Sequence, residues 1–349
     1  MKRYRIIRGF ILLLCFCMVL SGCAIGGIRQ NPTDMDLPQI DPEDGVSRDV
    51  TVTLYYRLTN ENYLVGITRS ISVRANERVE KAMIRALLGG VPLQALSKNV
   101  SPLFPENTSI VDVTVAGGIM YVTLSTEFLD TSVYDEKRAA ADFSLSSNTI
   151  DQETHDLMVQ EAYNELLLTR KLAVYSLVNT IIQLSSGIRV QVQVDTTGTG
   201  SGDRIKLSDL GLSAGEDADS QLLEPMRFVD DYVVTPGIIA ECVLTRLVNG
   251  EYELAYPLFS EDDGSGIQKP QYANFETEML SLGSLESFTV HGFSLGEDEA
   301  YARIRADLKF LYANGEVVEL KNSTLRLKRE GDLYKLGYGT LLDVLKGQE

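Results

Sequence analysis

The first 23 residues constrain this chain more than any other stretch, because they decide on which side of a membrane the remainder must fold. Basic side chains come first, and the apolar run from Gly9 to Leu20 follows them. A helix needs about 20 apolar residues to span a bilayer, so this run is too short to do so stably. Small residues then lead to Cys23. Together these features indicate a targeting segment that is cleaved. The alternative is an uncleaved anchor helix with an incidental cysteine.

The order Leu20-Ser21-Gly22-Cys23 resembles the lipobox of bacterial lipoproteins. That resemblance implies a signal peptide over residues 1–22 and covalent lipid on Cys23, with no other cofactor. Several acyl chains on one cysteine exceed what stable membrane anchoring requires. The resemblance therefore places the mature chain on the extracytoplasmic face of the cell membrane, held there by its lipid.

Charge and cysteine content exclude two classes of protein. The formal net charge is −17, and cleavage makes the mature chain more acidic, because residues 1–22 hold basic but no acidic side chains. Such a charge argues against nucleic-acid binding. Cys242 is the one thiol left after cleavage and acylation, so an intrachain disulfide cannot form. It lies in an apolar run, which predicts a buried and unreactive side chain.

The first half of the mature chain predicts a tether and then a domain with strands and helices. Residues 23–47 are rich in Gly, Pro, Asp and Asn and predict a flexible tether. Residues 50–58 alternate apolar and polar side chains, which indicates a half-buried strand. Gly117-Gly118 predicts a two-residue hairpin, because both positions tolerate positive φ. Residues 130–150 show no period and predict an irregular insertion, whereas residues 152–184 read as helix.

Five segments of this half follow one another along the chain. They are Leu54-Tyr55-Tyr56, Ala82 to Gly90, Leu103 to Thr108 running into Val111 to Val115, Tyr121 to Leu129, and Tyr175 to Thr180 followed by Val190 to Asp195. Together they resemble the GerMN domain of sporulation and germination proteins. The resemblance covers about residues 48–228, and residues 130–170 form an insertion, because other members have a shorter link there. It implies a sheet with helices, no enzymatic activity, and partners among envelope or sporulation proteins.

The second half, residues 229–349, predicts helices first and antiparallel strands last. Helices are expected over residues 236–247, 251–259 and 272–282, and residues 302–310 alternate as a strand. Asn314-Gly315 predicts a two-residue hairpin. This order, with the motif from Leu327 to Leu336, resembles the NTF2-like fold of helices packed on a curved antiparallel sheet. A second, diverged GerMN copy is the alternative. The predicted fold class is α+β with two domains.

Reactive motifs are scarce in the sequence, and we predict no catalytic residue and no metal site. The mature chain has two histidines and lacks the spacings of zinc sites or acyl-enzyme nucleophiles. The candidate binding surface combines Tyr55 and Tyr56 with Tyr301, Arg303 and Arg305. Each group also fits an ordinary sheet face, half-buried or solvated.

The sequence thus predicts a lipid-anchored, non-enzymatic protein that assists sporulation or spore germination through protein–protein contacts. This role is implied by the GerMN resemblance. One alternative is a solute-binding lipoprotein, which predicts two similar lobes with parallel sheets. Another is a cell-wall hydrolase that uses paired carboxylates such as Glu127 and Asp130.

Overall fold

The computed structural model describes residues 47–91, 99–184, 187–213 and 220–347. The predicted signal peptide, Cys23 and all of the tether except Ser47 lie outside the described residues. Arg48–Val73 and the described residues from Glu77 onward form one compact unit. Two parts of this unit have sheets of their own. They are the N-terminal region, residues 48–73 and 77–228, and the C-terminal region, residues 229–347.

The N-terminal region begins with an antiparallel sheet of order β2-β1-β3. The alternation predicted for β1 is confirmed at Val52, Leu54 and Leu58, which are buried. A helix, α1, packs on this sheet, and Gly90, which follows its last turn with a φ of 80°, stops it. The elements are β1 (Arg48–Leu58), β2 (Leu64–Val73), α1 (Val79–Leu88) and β3 (Val100–Ser101).

The second sheet of this region has the order β4-β5-β6-β7. Gly117 and Gly118 have φ of 57° and 75°, so the predicted two-residue hairpin between β4 and β5 is confirmed. β5 and β6 are parallel, which requires a long crossover connection between them. The strands are β4 (Ile110–Ala116), β5 (Ile119–Ser125), β6 (Arg189–Asp195) and β7 (Asp203–Arg204).

The crossover consists of two consecutive helices, α2 (Ser132–Ser146) and α3 (Gln152–Ile182), here called the helical hairpin. The prediction of an irregular segment over residues 130–150 is wrong, because α2 occupies most of it. Ala141 is the one buried residue of α2, so this helix shows no apolar stripe in the sequence. The predicted start of α3 is confirmed: the Asp151 side chain accepts a hydrogen bond from the Thr154 N–H at 2.9 Å.

The C-terminal region has one sheet, antiparallel throughout, of order β11-β10-β9-β8. The alternation predicted over residues 302–310 is confirmed, since Ile304, Leu308 and Phe310 are buried. Helix α4 packs against β8, β9 and β11. The elements are α4 (Pro236–Val248), α5 (Tyr252–Ala255), α6 (Tyr272–Leu282), β8 (Gly283–Leu295), β9 (Tyr301–Tyr312), β10 (Val317–Glu330), β11 (Leu333–Leu336) and α7 (Tyr338–Leu345).

The turn between β9 and β10 differs from the predicted two-residue hairpin. The Tyr312 N–H donates to the Glu316 carbonyl, and the Gly315 N–H donates to the Tyr312 carbonyl, both at 2.8 Å. Gly315 has a φ of 87°, whereas Asn314 is not among the residues with positive φ. A two-residue type I′ turn needs positive φ at both central positions, so the chain uses a three-residue loop instead.

The α+β fold class predicted from the sequence is confirmed. Helices come first and a curved antiparallel sheet comes last in the C-terminal region, as the NTF2-like resemblance implies. This sheet contains no parallel pair and so does not repeat the crossover topology of the N-terminal region. The expectation of a second GerMN copy therefore does not fit the observed topology.

Backbone and side-chain hydrogen bonds join the two regions. The Leu64 N–H donates to the Tyr232 carbonyl at 2.7 Å, and the Val234 N–H donates to the Leu64 carbonyl at 2.9 Å. Arg246 on α4 donates to the Glu61 carboxylate at 3.0 Å and to the Asn60 carbonyl at 2.6 Å. The turn between β1 and β2 is thus fixed to the first helix of the C-terminal region.

Candidate functional site

A cleft among the described residues lies at the base of the helical hairpin, and we call it the hairpin cleft. Its volume is about 990 Å³. The loop over residues 102–107 forms one wall. The start of α2 and the middle of α3 form the other. Phe104 and Tyr134 supply aromatic surface, while Glu127, Asp130 and Lys137 supply charge. The mixed lining suits a polypeptide contact that combines apolar and polar side chains.

Two carboxylates proposed for a hydrolase, Glu127 and Asp130, do line the hairpin cleft. A hydrogen bond from the Ser125 side chain lowers the pKa of Glu127, and one from Ser132 lowers the pKa of Asp130. Both groups are therefore ionised at neutral pH. The general acid of a glycoside hydrolase needs a raised pKa so that it can donate its proton. Neither carboxylate has that property.

An ion pair between Arg57 and Glu165 marks the inner edge of the hairpin cleft. The Arg57 Nε also donates to the Glu61 carbonyl at 2.7 Å, and its Nη1 approaches the Thr169 hydroxyl at 3.3 Å. Arg57 thereby connects the end of β1 to the middle of α3.

A second cleft of about 810 Å³ adjoins the first, and Lys137, Ala162 and Glu165 line both. Its far wall comes from the C-terminal region through Arg246 and Leu254. The helical hairpin therefore stands between two concave surfaces.

The helical hairpin exposes an unusual amount of apolar surface. Phe143 is 72% exposed and Val133 is 64% exposed, the two highest values among the large apolar side chains of the described residues. Leu157 on α3 is 58% exposed. Single exposed apolar residues are common on soluble proteins. Several on one projecting element favour a role for that element in contact with another protein.

The two tyrosines predicted for a binding surface, Tyr55 and Tyr56, are instead buried, and this expectation is wrong. Tyr56 points into the core, as the alternation requires. Tyr55 lies on the opposite face, where its ring packs against the Phe228 ring with centroids 5.8 Å apart. The Ser176 hydroxyl on α3 donates to the Tyr55 carbonyl at 2.5 Å. Burial raises the pKa of both phenols. These side chains stabilise the fold and cannot meet a partner.

The other predicted residues, Tyr301, Arg303 and Arg305, share the outer face of the C-terminal sheet. Both arginines are exposed, and Tyr301 is half-buried beneath the Arg326 guanidinium, which lies 3.9 Å from its ring centroid. Arg326 was missed in the sequence, although residues 324–328 alternate polar and apolar side chains in the same way. Their role as a binding surface stays a prediction.

Several other candidate groups have structural roles. Cys242 is buried, and burial raises the pKa of its thiol, which disfavours the reactive thiolate. The Gly-rich loop after β6 wraps the Asp195 carboxylate, which accepts hydrogen bonds from the Gly198 N–H at 2.8 Å and the Gly200 N–H at 2.7 Å. That loop therefore binds a carboxylate of its own chain.

Among the described residues, no three His, Cys, Asp or Glu side chains converge in a way that would hold a metal ion. None of the described helices combines the length and apolar character needed to cross a bilayer.

A protein-family model matches most of the N-terminal region. Residues 53–197 match the model of the family described as Germane, sporulation and spore germination. The match begins inside β1, ends after β6 and includes the helical hairpin. Residues 53–197 are therefore similar to a Germane domain, and the predicted GerMN resemblance is confirmed. No curated protein matches the chain at a significant level.

Three solved structures show partial similarity. The first GerMN domain of the sporulation protein GerM from Bacillus subtilis is 17% identical, with 42% of this chain and 84% of that chain covered and a TM-score of 0.25. The tandem GerMN domains of the same protein are 14% identical, with coverage of 54% and 48% and a TM-score of 0.28. A Δ5-3-ketosteroid isomerase from Mycobacterium sp. is 13% identical, with coverage of 30% and 92% and a TM-score of 0.24.

Proposed function

We propose that this chain is a lipid-anchored, extracytoplasmic and non-enzymatic protein that acts in sporulation or spore germination by binding other envelope proteins. The Germane match over residues 53–197 is the observation that carries the proposal. The low pKa values of Glu127 and Asp130 support a binding role over hydrolysis. The antiparallel C-terminal sheet disfavours a solute-binding protein with two similar parallel lobes.

The anchor is proposed at Cys23, on the sequence evidence of Leu20-Ser21-Gly22-Cys23. Lipid at that position confines the folded residues to one membrane surface. Confinement raises their effective concentration toward other anchored proteins without any new contact. Modest affinity at the protein surface is then sufficient for assembly.

The contact surface is proposed on the helical hairpin. Its exposed Phe143, Val133 and Leu157 offer apolar anchors, and the two clefts beside it offer concave surface. A few residues buried at the centre of an interface usually contribute most of its affinity. A partner would cover these side chains and so remove them from water.

The anchor is tested by metabolic labelling with a fatty acid. We expect the wild-type chain to take up label and to sediment with membranes, and Cys23→Ser to do neither. Cys242→Ala is the matched control, because that thiol is buried and should not affect labelling. Unlabelled wild-type protein in the cytosol would contradict the proposal.

The contact surface is tested by mild crosslinking in sporulating cells. The double variant Phe143→Glu/Leu157→Glu should lose its crosslinked partners, because each charge would be buried in the interface. Leu280→Glu/Val317→Glu is the control, since both side chains are exposed apolar residues of the C-terminal region. Recovery of wild-type protein as a free monomer throughout sporulation would count against a binding role.

A further inference from the structure

The outer face of the C-terminal sheet concentrates positive charge on a protein that is acidic overall. The chain has 49 Asp and Glu against 32 Lys and Arg. Tyr301, Arg303 and Arg305 on β9 nevertheless lie beside Arg326 and Lys328 on β10, on the face opposite the buried Ile304 and Leu325. We call these five residues, Tyr301, Arg303, Arg305, Arg326 and Lys328, the basic face.

No carboxylate lies directly across the strands from Arg303 or Arg305, although Asp307 follows Arg305 on the same face of β9. Arg303 lies between Ser294 on β8 and Arg326 on β10. Like charges placed directly opposite each other on neighbouring strands destabilise a sheet. Arg305 lies between Gly292 and Thr324. Neither Gly292 nor Thr324 carries a charge that could neutralise Arg305.

The side chains of Arg303 and Arg305 form no ion pair or hydrogen bond anywhere in the described part of the chain. Other cations of the same sheet are paired, since Lys309 contacts Glu286 at 2.7 Å and Lys335 contacts Glu330 at 3.3 Å. The two arginines are thus left with free donor groups on a rigid support. Unfavourable local arrangements of this kind concentrate at functional sites.

The remainder of the basic face is held in place. The Arg326 guanidinium stacks on the Tyr301 ring, and the Lys328 Nζ donates to the Asp262 carbonyl at 2.6 Å. Stacking leaves the edge of a guanidinium free to donate hydrogen bonds. Side chains already fixed in this way lose less entropy when a partner binds.

We propose that the basic face binds a carboxylate-rich, extended segment of a partner protein, and this inference rests on the proposed binding function. Side chains that alternate along a strand repeat every ~6.7 Å, both on β9 and in an extended peptide. Carboxylates at alternate positions of such a peptide can therefore meet Arg303 and Arg305 together. Planar guanidinium groups bind carboxylates through two parallel hydrogen bonds.

Composition and overall charge favour a protein over an anionic bilayer as the occupant. Tyrosine and arginine are enriched at protein interfaces, whereas lysine is depleted there. A bilayer would also approach the rest of the protein, whose net charge of −17 opposes an anionic surface. A narrow acidic segment can reach the basic face alone.

The test uses the purified full-length chain and a fluorescent synthetic peptide in which glutamate and threonine alternate. We expect saturable binding that weakens as salt is added, because charged pairs are screened. Arg303→Glu/Arg305→Glu should weaken binding about tenfold or more. The control Lys81→Glu/Arg189→Glu changes net charge equally at exposed positions elsewhere and should bind nearly as the wild type does. Matching thermal melts would show that both variants fold.

Other outcomes would overturn the proposal. Equal loss in the control variant would mean that general charge drives binding. Absence of peptide binding, with wild-type preference for phosphatidylglycerol over phosphatidylcholine vesicles that depends on Arg303 and Arg305, would assign the face to lipid. Self-association lost in the same variant would assign it to a second copy. In each of these cases, crosslinking through the helical hairpin would persist. Failure of the basic-face proposal can therefore be told apart from failure of the proposed function.

Discussion

The helical hairpin and the C-terminal sheet are of similar size but differ in how many of their side chains are buried. α2 buries one residue, Ala141, and leaves Phe143 in solvent. In β9 every second side chain from Ala302 to Phe310 is buried under helices. The hairpin is therefore a projecting element whose apolar residues are available for contact. The sheet is a packed support that can hold charged side chains at fixed spacing.

The helical hairpin and the C-terminal sheet also differ in charge. Residues 132–165 hold eight acidic side chains against two basic ones, whereas the basic face gathers four cations. The two elements thus carry charge of opposite sign. The net charge of the chain therefore describes neither surface.

The largest expected effect on the free energy of unfolding comes from replacing a phenylalanine by alanine, once in the C-terminal sheet and once in the helical hairpin. Phe310→Ala should lower the free energy of unfolding by about 3–5 kcal/mol, because Phe310 is 1% exposed and its loss leaves a cavity. Phe143→Ala should change it by less than about 0.5 kcal/mol, since that ring is in solvent. Urea unfolding measures both. Similar losses in the two variants would remove the distinction between support and projecting element.

A smaller effect is expected where the C-terminal region meets the turn after β1. Arg246→Ala should cost about 1.5–3 kcal/mol in urea unfolding, because it leaves the Glu61 carboxylate, 14% exposed, without its charged donor. Arg138→Ala on the hairpin is the control. Its ion pair with Asp135 is long, at 3.7 Å, and half-exposed, so a change within about 0.5 kcal/mol is expected. A control that is equally destabilised would mean that the hairpin is as tightly held as the region boundary.

The smallest effect is a pH dependence confined to the hairpin. His155 on α3 contacts Asp142 on α2 at 2.8 Å and Asp156 at 3.0 Å. Hydrogen bonds to Asp142 and then Asp156 raise the pKa of His155 above its ordinary 6.5. A raised pKa means that this stabilisation is complete below pH 6.5 and is lost as pH rises through the pKa of the folded state.

Hydrogen exchange, corrected for intrinsic rates, should therefore show α2 better protected in mild acid than in mild base. His155→Gln should abolish that dependence, and His291→Gln, on β8, should keep it. Protection of α2 that does not vary with pH in the wild type would show that another contact fixes the hairpin.

Sequence reasoning succeeded where the signal was local. The alternation in β1, the Gly117-Gly118 turn and the alternation over residues 302–310 were each predicted and are each present. It failed at α2, where a helix that buries a single residue carries no periodic stripe. It also failed at Asn314-Gly315, because the loop length follows from how β9 and β10 pair across the turn.

The sequence by itself determined the periods of the main strands and helices, the acidity of the chain and the motif at Cys23, since these depend on neighbouring residues. Only the tertiary structure decided which faces are covered. Tyr55 belongs to the polar side of its strand by alternation and is buried because Phe228, more than a hundred residues later, packs against its ring. Arg303 meets Arg326 because β9 and β10 pair in one register out of several. Burial and cross-strand charge depend on distant residues, and no local pattern records them.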